Sequence, residues 1–262
     1  MLEIKNLTKV YGDGTVALKD VSFSVKDGEF LIIIGLSGSG KSTLLRCINR
    51  LIEPTEGQII WNGTNIPDAD PKQLRRVRRQ IGMIFQQFNL VKRSSVLMNV
   101  LSGRLGYVSP MTSLLYRFPK KDLQMAMDAL EQVGIANQAH KRADELSGGQ
   151  QQRVGIARAL MQEPLMILAD EPVASLDPVL AHSILESLEK LNREREISVL
   201  CSLHYLDLVQ RYATRVIGLR DGQIVYRGTR EDIRTMTDEQ FKDIYGAEAV
   251  RVGAGSITGG TL

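Results

Sequence analysis

The stretch Phe30-Leu-Ile-Ile-Ile-Gly35-Leu-Ser-Gly-Ser-Gly40-Lys41-Ser42 decides the fold class of this 262-residue chain. Five apolar residues in a row, Phe30–Ile34, predict a strand that is buried on both faces of a sheet. The turn that follows fits the phosphate loop G-x-x-x-x-G-K-[ST], and we expect a helix to begin near Lys41. Strand, glycine-rich turn and helix in this order predict a phosphate-binding site.

The residues of this loop suit the oxygens of a nucleotide. Glycines let backbone N–H groups turn inward around phosphate, where side chains would obstruct them. We therefore expect Lys41 to reach the β- and γ-phosphates of ATP, and Ser42 to hold Mg²⁺. The alternative, a glycine-rich turn without a ligand, is disfavoured by the flanking strand and helix. The residues expected to bind ATP at this loop are Gly35, Ser37, Gly38, Ser39, Gly40, Lys41, Ser42 and Thr43.

A second stretch, Leu165-Met-Ile-Leu-Ala-Asp170-Glu171, is an apolar strand that ends in two carboxylates. In a nucleotide site, Asp170 would orient the Mg²⁺ shell, while Glu171 would polarise the attacking water and accept its proton. Strands that end in Asp-Glu are common, so this assignment depends on the phosphate loop upstream. Together the two stretches predict hydrolysis of ATP.

The stretch Leu146-Ser147-Gly148-Gly149-Gln-Gln-Gln-Arg153, called the signature segment below, carries a second phosphate-binding pattern. A serine and two glycines precede a helix that is predicted to run to about Met161, and helix N-termini bind anions. One nucleotide rarely requires two such phosphate-binding segments from the same chain. The sequence therefore predicts that Ser147 and Gly149 close on ATP held by a second copy, in a head-to-tail homodimer.

These three stretches together resemble the motifs of the ABC-transporter ATPases, whose signature is Leu-Ser-Gly-Gly-Gln. The resemblance covers about residues 2–245. It implies a P-loop NTPase core and ATP hydrolysis that drives a separate transmembrane permease. All catalytic side-chain types of the family are present, so we expect an active ATPase.

Further positions take their roles from the resemblance alone. Gln86 corresponds to the glutamine that contacts Mg²⁺ and reports nucleotide state to the pore, and His204 to the histidine at the γ-phosphate. Asp177, in Ser-Leu-Asp, belongs to the loop that links the two sites of a dimer, and Tyr11 corresponds to the aromatic that stacks on adenine. Without the family, His204 is more typical of a core histidine and Tyr11 of an ordinary strand end.

The expected roles thus fall into overlapping groups. The catalytic group is Lys41, Gln86, Glu171 and His204, and the metal group is Ser42, Gln86 and Asp170.

Apolar runs and helical spacings alternate along the chain and predict an α/β fold with a mainly parallel core sheet. Strands are predicted at Leu2–Leu7, Val21–Val25, Phe30–Ile34, Gln58–Trp61, Ile81–Phe85, Met166–Ala169 and Ile197–Cys201. The spacings of Leu123, Met127 and Leu130 and of Ile184, Leu188 and Leu191 predict helices.

We expect one domain, 1–245, with an N-terminal antiparallel β subdomain and a helical subdomain inserted at about 87–162. Near its end, a helix is predicted around Tyr205–Tyr212, a hairpin turn at Asp221-Gly222, and a capping box of Thr229 and Asp232 that opens a last helix. The glycine-rich tail, 246–262, is predicted to be flexible.

The composition of the chain narrows the possible classes of protein only a little. Hydrophobic residues make up 43% and charged residues 24%, as in an ordinary globular chain. Cys47 and Cys201 lie in apolar runs, which favours buried free thiols over a disulfide. No secretory signal or run of about 20 apolar residues is visible, so other chains would have to form a pore. The basic run Arg75–Arg79 favours a solvated helix face, with anionic lipid or nucleic acid as alternatives; no aromatic residues accompany it.

Two classes of function compete with a transport ATPase. DNA-repair and chromosome-structuring ATPases carry long coiled-coil arms, but no heptads lie between Lys41 and Ser147. Ribosome-associated ATPases usually carry two cassettes per chain, and this chain has one. We therefore expect a subunit that binds no nucleic acid and lies peripherally on the cytoplasmic face of the inner membrane.

The cargo is indicated by resemblance only. The stretch Phe85–Arg93, the insertion Gly103–Pro119 and Pro172–Pro178 look most like the ATPases of phosphonate importers, with polar amino-acid or other oxyanion importers as the alternative. In that family a permease and an external binding protein choose the substrate. Large apolar and basic groups suggest that the insertion grips the permease; a locally packed hairpin is the alternative. These groups are Leu105, Tyr107, Leu114, Leu115, Tyr116, Arg117 and Phe118.

Overall fold

The structure, a computed structural model, describes residues 1–108, 118–246, 250–252 and 256–258. Its strands are β1 (Leu2–Val10), β2 (Val16–Val25), β3 (Phe30–Ile34), β4 (Glu56–Trp61), β5 (Thr64–Asn65), β6 (Ile81–Ile84), β7 (Met166–Ala169), β8 (Ser198–Ser202), β9 (Arg215–Arg220), β10 (Gln223–Thr229), β11 (Val250–Val252) and β12 (Ser256–Thr258). Its α-helices are α1 (Lys41–Ile48), α2 (Pro71–Gln80), α3 (Val96–Leu101), α4 (Lys120–Gln132), α5 (Gly148–Leu160), α6 (Pro178–Arg195), α7 (Leu206–Tyr212), α8 (Arg230–Arg234) and α9 (Asp238–Tyr245).

The core sheet has six strands in the order β10-β9-β3-β8-β7-β6. Strands β9, β3, β8, β7 and β6 pair in parallel, and β10 is added antiparallel at one edge. Every residue of β3, β6, β7 and β8 is buried, as expected for strands covered on both faces. The predicted α/β class with a mainly parallel core sheet is confirmed.

A second sheet, β2-β1-β4-β5, is antiparallel and confirms the N-terminal β subdomain. Strand β2 begins at Val16, five positions before the predicted start. Its first half breaks the alternation of buried and exposed side chains, because the register with β1 shifts and Asp20 has a φ of 52°. That irregularity hid the strand from a search for alternating hydrophobicity.

Helices α3, α4 and α5 lie between β6 and β7 in the sequence, although these two strands pair directly. The intervening segment is therefore a helical insertion at one edge of the core sheet. The predicted helical spacings fall in α4 and α6, where Leu130, Ile184, Leu188 and Leu191 are buried.

The C-terminal part matches the sequence in its turns and differs in its helices. A hairpin at Asp221-Gly222 joins β9 and β10, and Thr229 with Asp232 forms the predicted capping box of α8. This helix is not the last, because a second box, Thr237 with Gln240, opens α9. The predicted flexible tail is described only at Gly246 and at β11 and β12, which pair antiparallel; the rest of it lies outside the described residues.

The basic run lies on α2 and only partly follows the prediction of a solvated face. Arg78 donates to the carbonyl oxygens of Asn49 and Arg50, and Arg79 donates to that of Gly106. Both guanidinium groups therefore fasten α2 to neighbouring backbone instead of facing water. Cys47 and Cys201 are free and buried, as expected. Among the described residues, no helix has the length and hydropathy needed to cross a bilayer.

Candidate nucleotide-binding site

The phosphate loop lies between the carboxyl end of β3 and the start of α1. Gly35, Gly38 and Gly40 have φ values of 147°, 80° and 103°, where side-chain-bearing residues are rare. At two of them packing also excludes a side chain: an added Cβ would lie 2.2 Å from the Leu219 oxygen at Gly35 and 2.4 Å from the Ala17 oxygen at Gly40. The loop is therefore fixed in a shape that only this glycine pattern permits.

The N-terminus of α1 carries no side-chain cap, because its N-cap residue is Gly40. The first N–H groups of a helix lack intrahelical partners, and here no side chain covers them. The Ser39 hydroxyl is buried and has no hydrogen-bond partner within the described structure. Open backbone donors and an unpartnered hydroxyl fit the oxygens of a phosphate group.

Lys41 is buried at the centre of this loop. Its Nζ donates to the carbonyl oxygens of Gly35 at 2.8 Å and Leu36 at 2.7 Å, and lies 3.8 Å from Glu171 Oε1. Burial lowers the pKa of Lys41 to about 8, although Glu171 and Asp170 favour its charged form. An anion bound beside Lys41 would therefore raise the pKa of this lysine and favour its charged form.

Asp170 follows β7 and is fully buried. Its carboxylate accepts from the Ser42 hydroxyl at 2.6 Å, from the Arg46 guanidinium at 3.2 Å and from the Ser202 hydroxyl at 3.4 Å. Buried carboxylates need such partners because desolvation penalises the charged form. The structure thus brings Ser42 and Asp170 together at the sheet edge, as the sequence predicts.

Glu171 contacts two nitrogen-bearing side chains of the site. Its Oε1 is hydrogen-bonded to His204 Nε2 and faces Lys41 Nζ. The hydrogen bond from His204 is the largest cause that lowers the pKa of Glu171, and Lys41 adds to it. Glu171 itself has a φ of 47°, a left-handed conformation that is uncommon outside glycine. Three predicted catalytic residues, Lys41, Glu171 and His204, therefore form one cluster.

Gln86, the fourth predicted catalytic residue, stands apart from this cluster. It directly follows Phe85 beyond the end of β6, is exposed, and makes no side-chain hydrogen bond within the described residues. Ser42 and Asp170 supply oxygen atoms of the kind that Mg²⁺ prefers, and Gln86 would add an amide oxygen. Among the described residues there is no cluster of three or more His, Cys, Asp or Glu that could hold a metal alone. The donor set therefore fits a cation that is also bound by phosphate and water.

Tyr11 lies beside the loop, and its hydroxyl is 3.2 Å from the Thr43 hydroxyl. Tyr11 is 37% exposed, so part of the residue is accessible to a ligand. Tyr11 is therefore near enough to the phosphate loop to contact a nucleotide bound there.

The signature segment opens α5 with a closed cap. Ser147 Oγ accepts from the Gln150 N–H at 3.4 Å, and Gln150 Oε1 accepts from the Ser147 N–H at 3.0 Å. At Gly149 an added Cβ would lie 2.9 Å from a terminal methyl group of Leu180, which would have to shift to admit it. Within the described residues, no hydrogen bond joins Ser147 or Gly149 to the phosphate loop. The structure does not bring these two predicted sites together in one chain.

Asp177 has a structural task that the sequence did not indicate. Its carboxylate accepts from the N–H groups of Val179 and Leu180, both at 3.0 Å, and caps α6. The next residue back, Leu176, packs near Gly148. The predicted cross-dimer loop thus contacts the signature segment within its own chain.

Three polar side chains at the site were missed by the sequence analysis. Arg46 pairs with Asp170; its spacing of four residues from Ser42 on one helix face could have indicated this. Arg158 donates to the carbonyl oxygens of Phe88 and Asn89, beside Gln86. Ser202 joins Asp170 and Glu171. Neither Arg158 nor Ser202 gives a comparable signal of its partner in the local sequence.

Comparisons with known proteins decide the family. The family model described as "ABC transporter" matches residues 18–174. The phosphonates import ATP-binding protein of Bacillus anthracis is 55% identical over 246 residues, 94% of this chain and 95% of that protein. The corresponding protein 3 of Halalkalibacterium halodurans is 51% identical over 94% of each chain. This chain belongs to the ABC transporter family. As an ABC ATPase domain, it binds nucleotide.

Solved structures of ABC cassettes agree with the fold of this ABC ATPase. A dimeric bacterial ABC transporter cassette has a TM-score of 0.78 and 37% identity, and the match covers 88% of this chain and 99% of that one. A cassette in a dimeric post-hydrolysis state, bound to ADP and phosphate, has a TM-score of 0.77 and 36% identity, with the same coverage.

Proposed function

We propose that this ABC ATPase is the energy-supplying subunit of an importer for phosphonate or the related phosphite. The ATPase part is supported by one observation above all: Lys41, Glu171 and His204 meet beside Ser42 and Asp170 at the carboxyl edge of the core sheet. The cargo part is supported by relatives that are named phosphonates import ATP-binding proteins and are 51% and 55% identical to this chain.

Nucleotide binding would rearrange the charges around Glu171. Lys41 and His204, which contact Glu171, would turn to the γ-phosphate of bound ATP. Glu171 would then lose the groups that lower its pKa and gain a nearby anion, and both changes raise its pKa. ATP would thus make Glu171 a stronger base at the step that needs one.

Mg²⁺ would supply charge stabilisation of the transferred phosphoryl group. Ser42 and Asp170 would hold it from one side, and Gln86 from the end of β6. Because Gln86 precedes the helical insertion, its approach to this site would move the segment around α3 to α5 relative to the core.

The N-terminus of α5 supports the proposal of a head-to-tail homodimer. Ser147 and Gly149 lie at the N-terminus of α5, which attracts phosphate by its dipole, yet among the described residues no hydrogen bond joins them to the phosphate loop of their own chain. A partner chain would bring the γ-phosphate of its bound ATP to these two residues. The similar cassette described as dimeric supports this arrangement.

A transmembrane permease would dock near the helical insertion, which places the chain peripherally on the cytoplasmic face of the membrane. Leu105 is 46% exposed and suits such a contact. Two other groups that the sequence assigned to this grip are used within the chain: the Tyr107 ring contacts the guanidinium groups of Arg79 and Arg104, and Phe118 packs on the core. Leu114, Leu115, Tyr116 and Arg117 lie outside the described residues.

Growth on a phosphonate as sole phosphorus source tests the cargo. A deletion strain with no redundant uptake system should fail to grow and to take up phosphonate, and the gene with its neighbours should restore both. The same gene carrying Lys41→Ala is the matched control and should restore neither. Unimpaired growth of the deletion strain would reject the cargo while leaving the ATPase function intact.

A further inference from the structure

Strand β8 begins and ends with a buried serine, and each serine fastens a loop. Ser198, at the start, accepts from the Gly28 N–H at 3.0 Å and donates to the Lys26 oxygen at 3.2 Å. Ser202, at the end, accepts from the Glu171 N–H at 2.9 Å and lies 3.4 Å from Asp170 Oδ1. Both side chains are almost inaccessible to solvent, at 2% and 0% exposure.

The backbone around Glu171 depends on Ser202 more than that around Asp170 does. The Asp170 N–H donates to Ile84 of β6 at 2.9 Å, so its position is fixed by the sheet. The parallel ladder of β7 and β8 ends at Ala169 and Cys201. One residue further, the Glu171 N–H has the Ser202 hydroxyl as its only hydrogen-bond acceptor within the described structure.

This hydrogen bond acts where the chain is conformationally unusual. Glu171 has a φ of 47°, which side-chain-bearing residues rarely adopt without support from their surroundings. Rotation of this one backbone angle would move the carboxylate away from Lys41 and His204. The Asp170 carboxylate, in contrast, keeps Ser42 at 2.6 Å and Arg46 at 3.2 Å if Ser202 is lost.

We propose that Ser202 is a positioning residue for hydrolysis: its hydroxyl holds the Glu171 backbone in the conformation that aims the carboxylate at the attacking water. The inference rests on the proposed role of Glu171 as general base. It predicts that Ser202 affects the rate of hydrolysis and not the binding of MgATP, because Asp170 and the phosphate loop keep their other contacts.

Ser202→Ala and Ser198→Ala form a matched pair, since each removes a buried hydroxyl from the same strand. Both should lower the melting temperature. Ser202→Ala should also lower kcat by about 10- to 100-fold, the size of effect that small misplacements of reacting groups produce. Its Kd for MgATP, measured with a fluorescent nucleotide, should stay close to that of the wild type. Ser198→Ala should keep the wild-type kcat.

Two further variants separate the hydroxyl from the volume of the side chain. Ser202→Thr keeps the acceptor and should recover most of the rate, whereas Ser202→Cys nearly keeps the size but accepts hydrogen bonds poorly and should remain slow. If Ser202→Ala does not fold, the comparison of the Thr and Cys variants decides the question. Equal kcat in these two, or in the two alanine variants, would overturn the inference.

Glu171→Gln, measured alongside, distinguishes this inference from the function on which it rests. If Glu171→Gln still hydrolyses ATP at the wild-type rate, the assignment of the base fails and the role of Ser202 fails with it. If Glu171→Gln is inactive while Ser202→Ala is as fast as Ser198→Ala, only the role of Ser202 is rejected.

Discussion

The N-termini of α1 and α5 both contain glycine but are held differently. At α1, Gly40 has a φ of 103° and offers no side-chain cap, so the first N–H groups remain open. At α5, Ser147 and Gln150 cap each other at 3.4 and 3.0 Å. The first terminus is open to phosphate within one chain, whereas at the second the Ser147 hydroxyl already accepts from the Gln150 N–H.

This difference gives the two termini different energetic roles. Phosphate at α1 gains donors that have no competing partner, and Lys41 adds a cation. Phosphate at α5 must replace an existing cap, so the net gain is smaller. We therefore expect α1 to set the affinity of one chain for ATP, and α5 to add the weaker force that joins two chains.

Glu171→Gln should produce the largest effect, and it should make the contribution of the α5 N-terminus to dimerisation measurable. General-base loss typically lowers turnover by about 10²- to 10⁴-fold, while the open cradle at α1 still binds MgATP. Unhydrolysed ATP should then hold α5 of the partner, so the variant should accumulate as an ATP-dependent dimer on gel filtration. Near-normal turnover would show that another group activates the water.

Tyr11→Ala should weaken the binding of nucleotide at the N-terminus of α1 and leave the N-terminus of α5 unaffected. If the ring stacks on adenine, its loss should cost about 1–3 kcal/mol of nucleotide binding, as for bases stacked on aromatic residues elsewhere. Titration with a fluorescent ATP analogue measures this, and Tyr11→Trp, which keeps an aromatic face, should bind at least as tightly as wild type. Unchanged affinity in Tyr11→Ala would return Tyr11 to the role of an ordinary strand end.

Ser147→Ala should act on the second terminus. Loss of an N-cap typically costs about 0.5–2 kcal/mol of stability, with no change in the ATP affinity of the monomer. Ser95→Ala is the matched control, because Ser95 caps α3 in the same way through the Met98 N–H. Both should lower the melting temperature, but only Ser147→Ala should weaken the ATP-dependent dimer in the Glu171→Gln background. Equal dimerisation of the two would contradict the proposed role of Ser147.

The smallest expected effect is a change in the protonation of Lys41, at the N-terminus of α1, when ATP binds. The Lys41 pKa of about 8 means that the side chain is about half protonated at pH 8. Phosphate favours the charged form, so ATP binding at pH 8 should take up about half a proton, and little at pH 7, where lysine is already charged. Calorimetry in buffers of different ionisation enthalpy measures this uptake. No rise between pH 7 and pH 8 would show that burial does not lower the pKa of Lys41.

The sequence predicted best what depends on short runs of residues. Phe30–Ile34 and Met166–Ala169 are strands with the predicted bounds, because each apolar run ends at a glycine or a carboxylate. It predicted less well what depends on register or distance. The early start of β2 was hidden by a shift against β1, and Arg78 finds its carbonyl partners nearly 30 positions away.

The same limit applies to the site. The phosphate loop, Asp170 and Glu171 were predictable because they follow apolar strands directly. The predicted meeting of Lys41, Glu171 and His204 depended on family resemblance, since 163 positions separate the first and last of them (204 − 41). The role of Ser202 could not be predicted, because the sequence of a buried strand does not indicate which group a serine hydroxyl in it will bond.

Mixing two inactive variants tests the central claim most directly, namely that the signature segment serves the ATP of the partner chain. Lys41→Ala removes the lysine of the first terminus, and Ser147→Arg blocks the second. In a mixed dimer, one site combines an intact Lys41 from one chain with an intact Ser147 from the other. Mixing should therefore restore ATPase activity that neither variant has alone, in proportion to the mixed dimers formed. Inactive mixtures that contain mixed dimers, or full activity in a demonstrated monomer, would contradict the account.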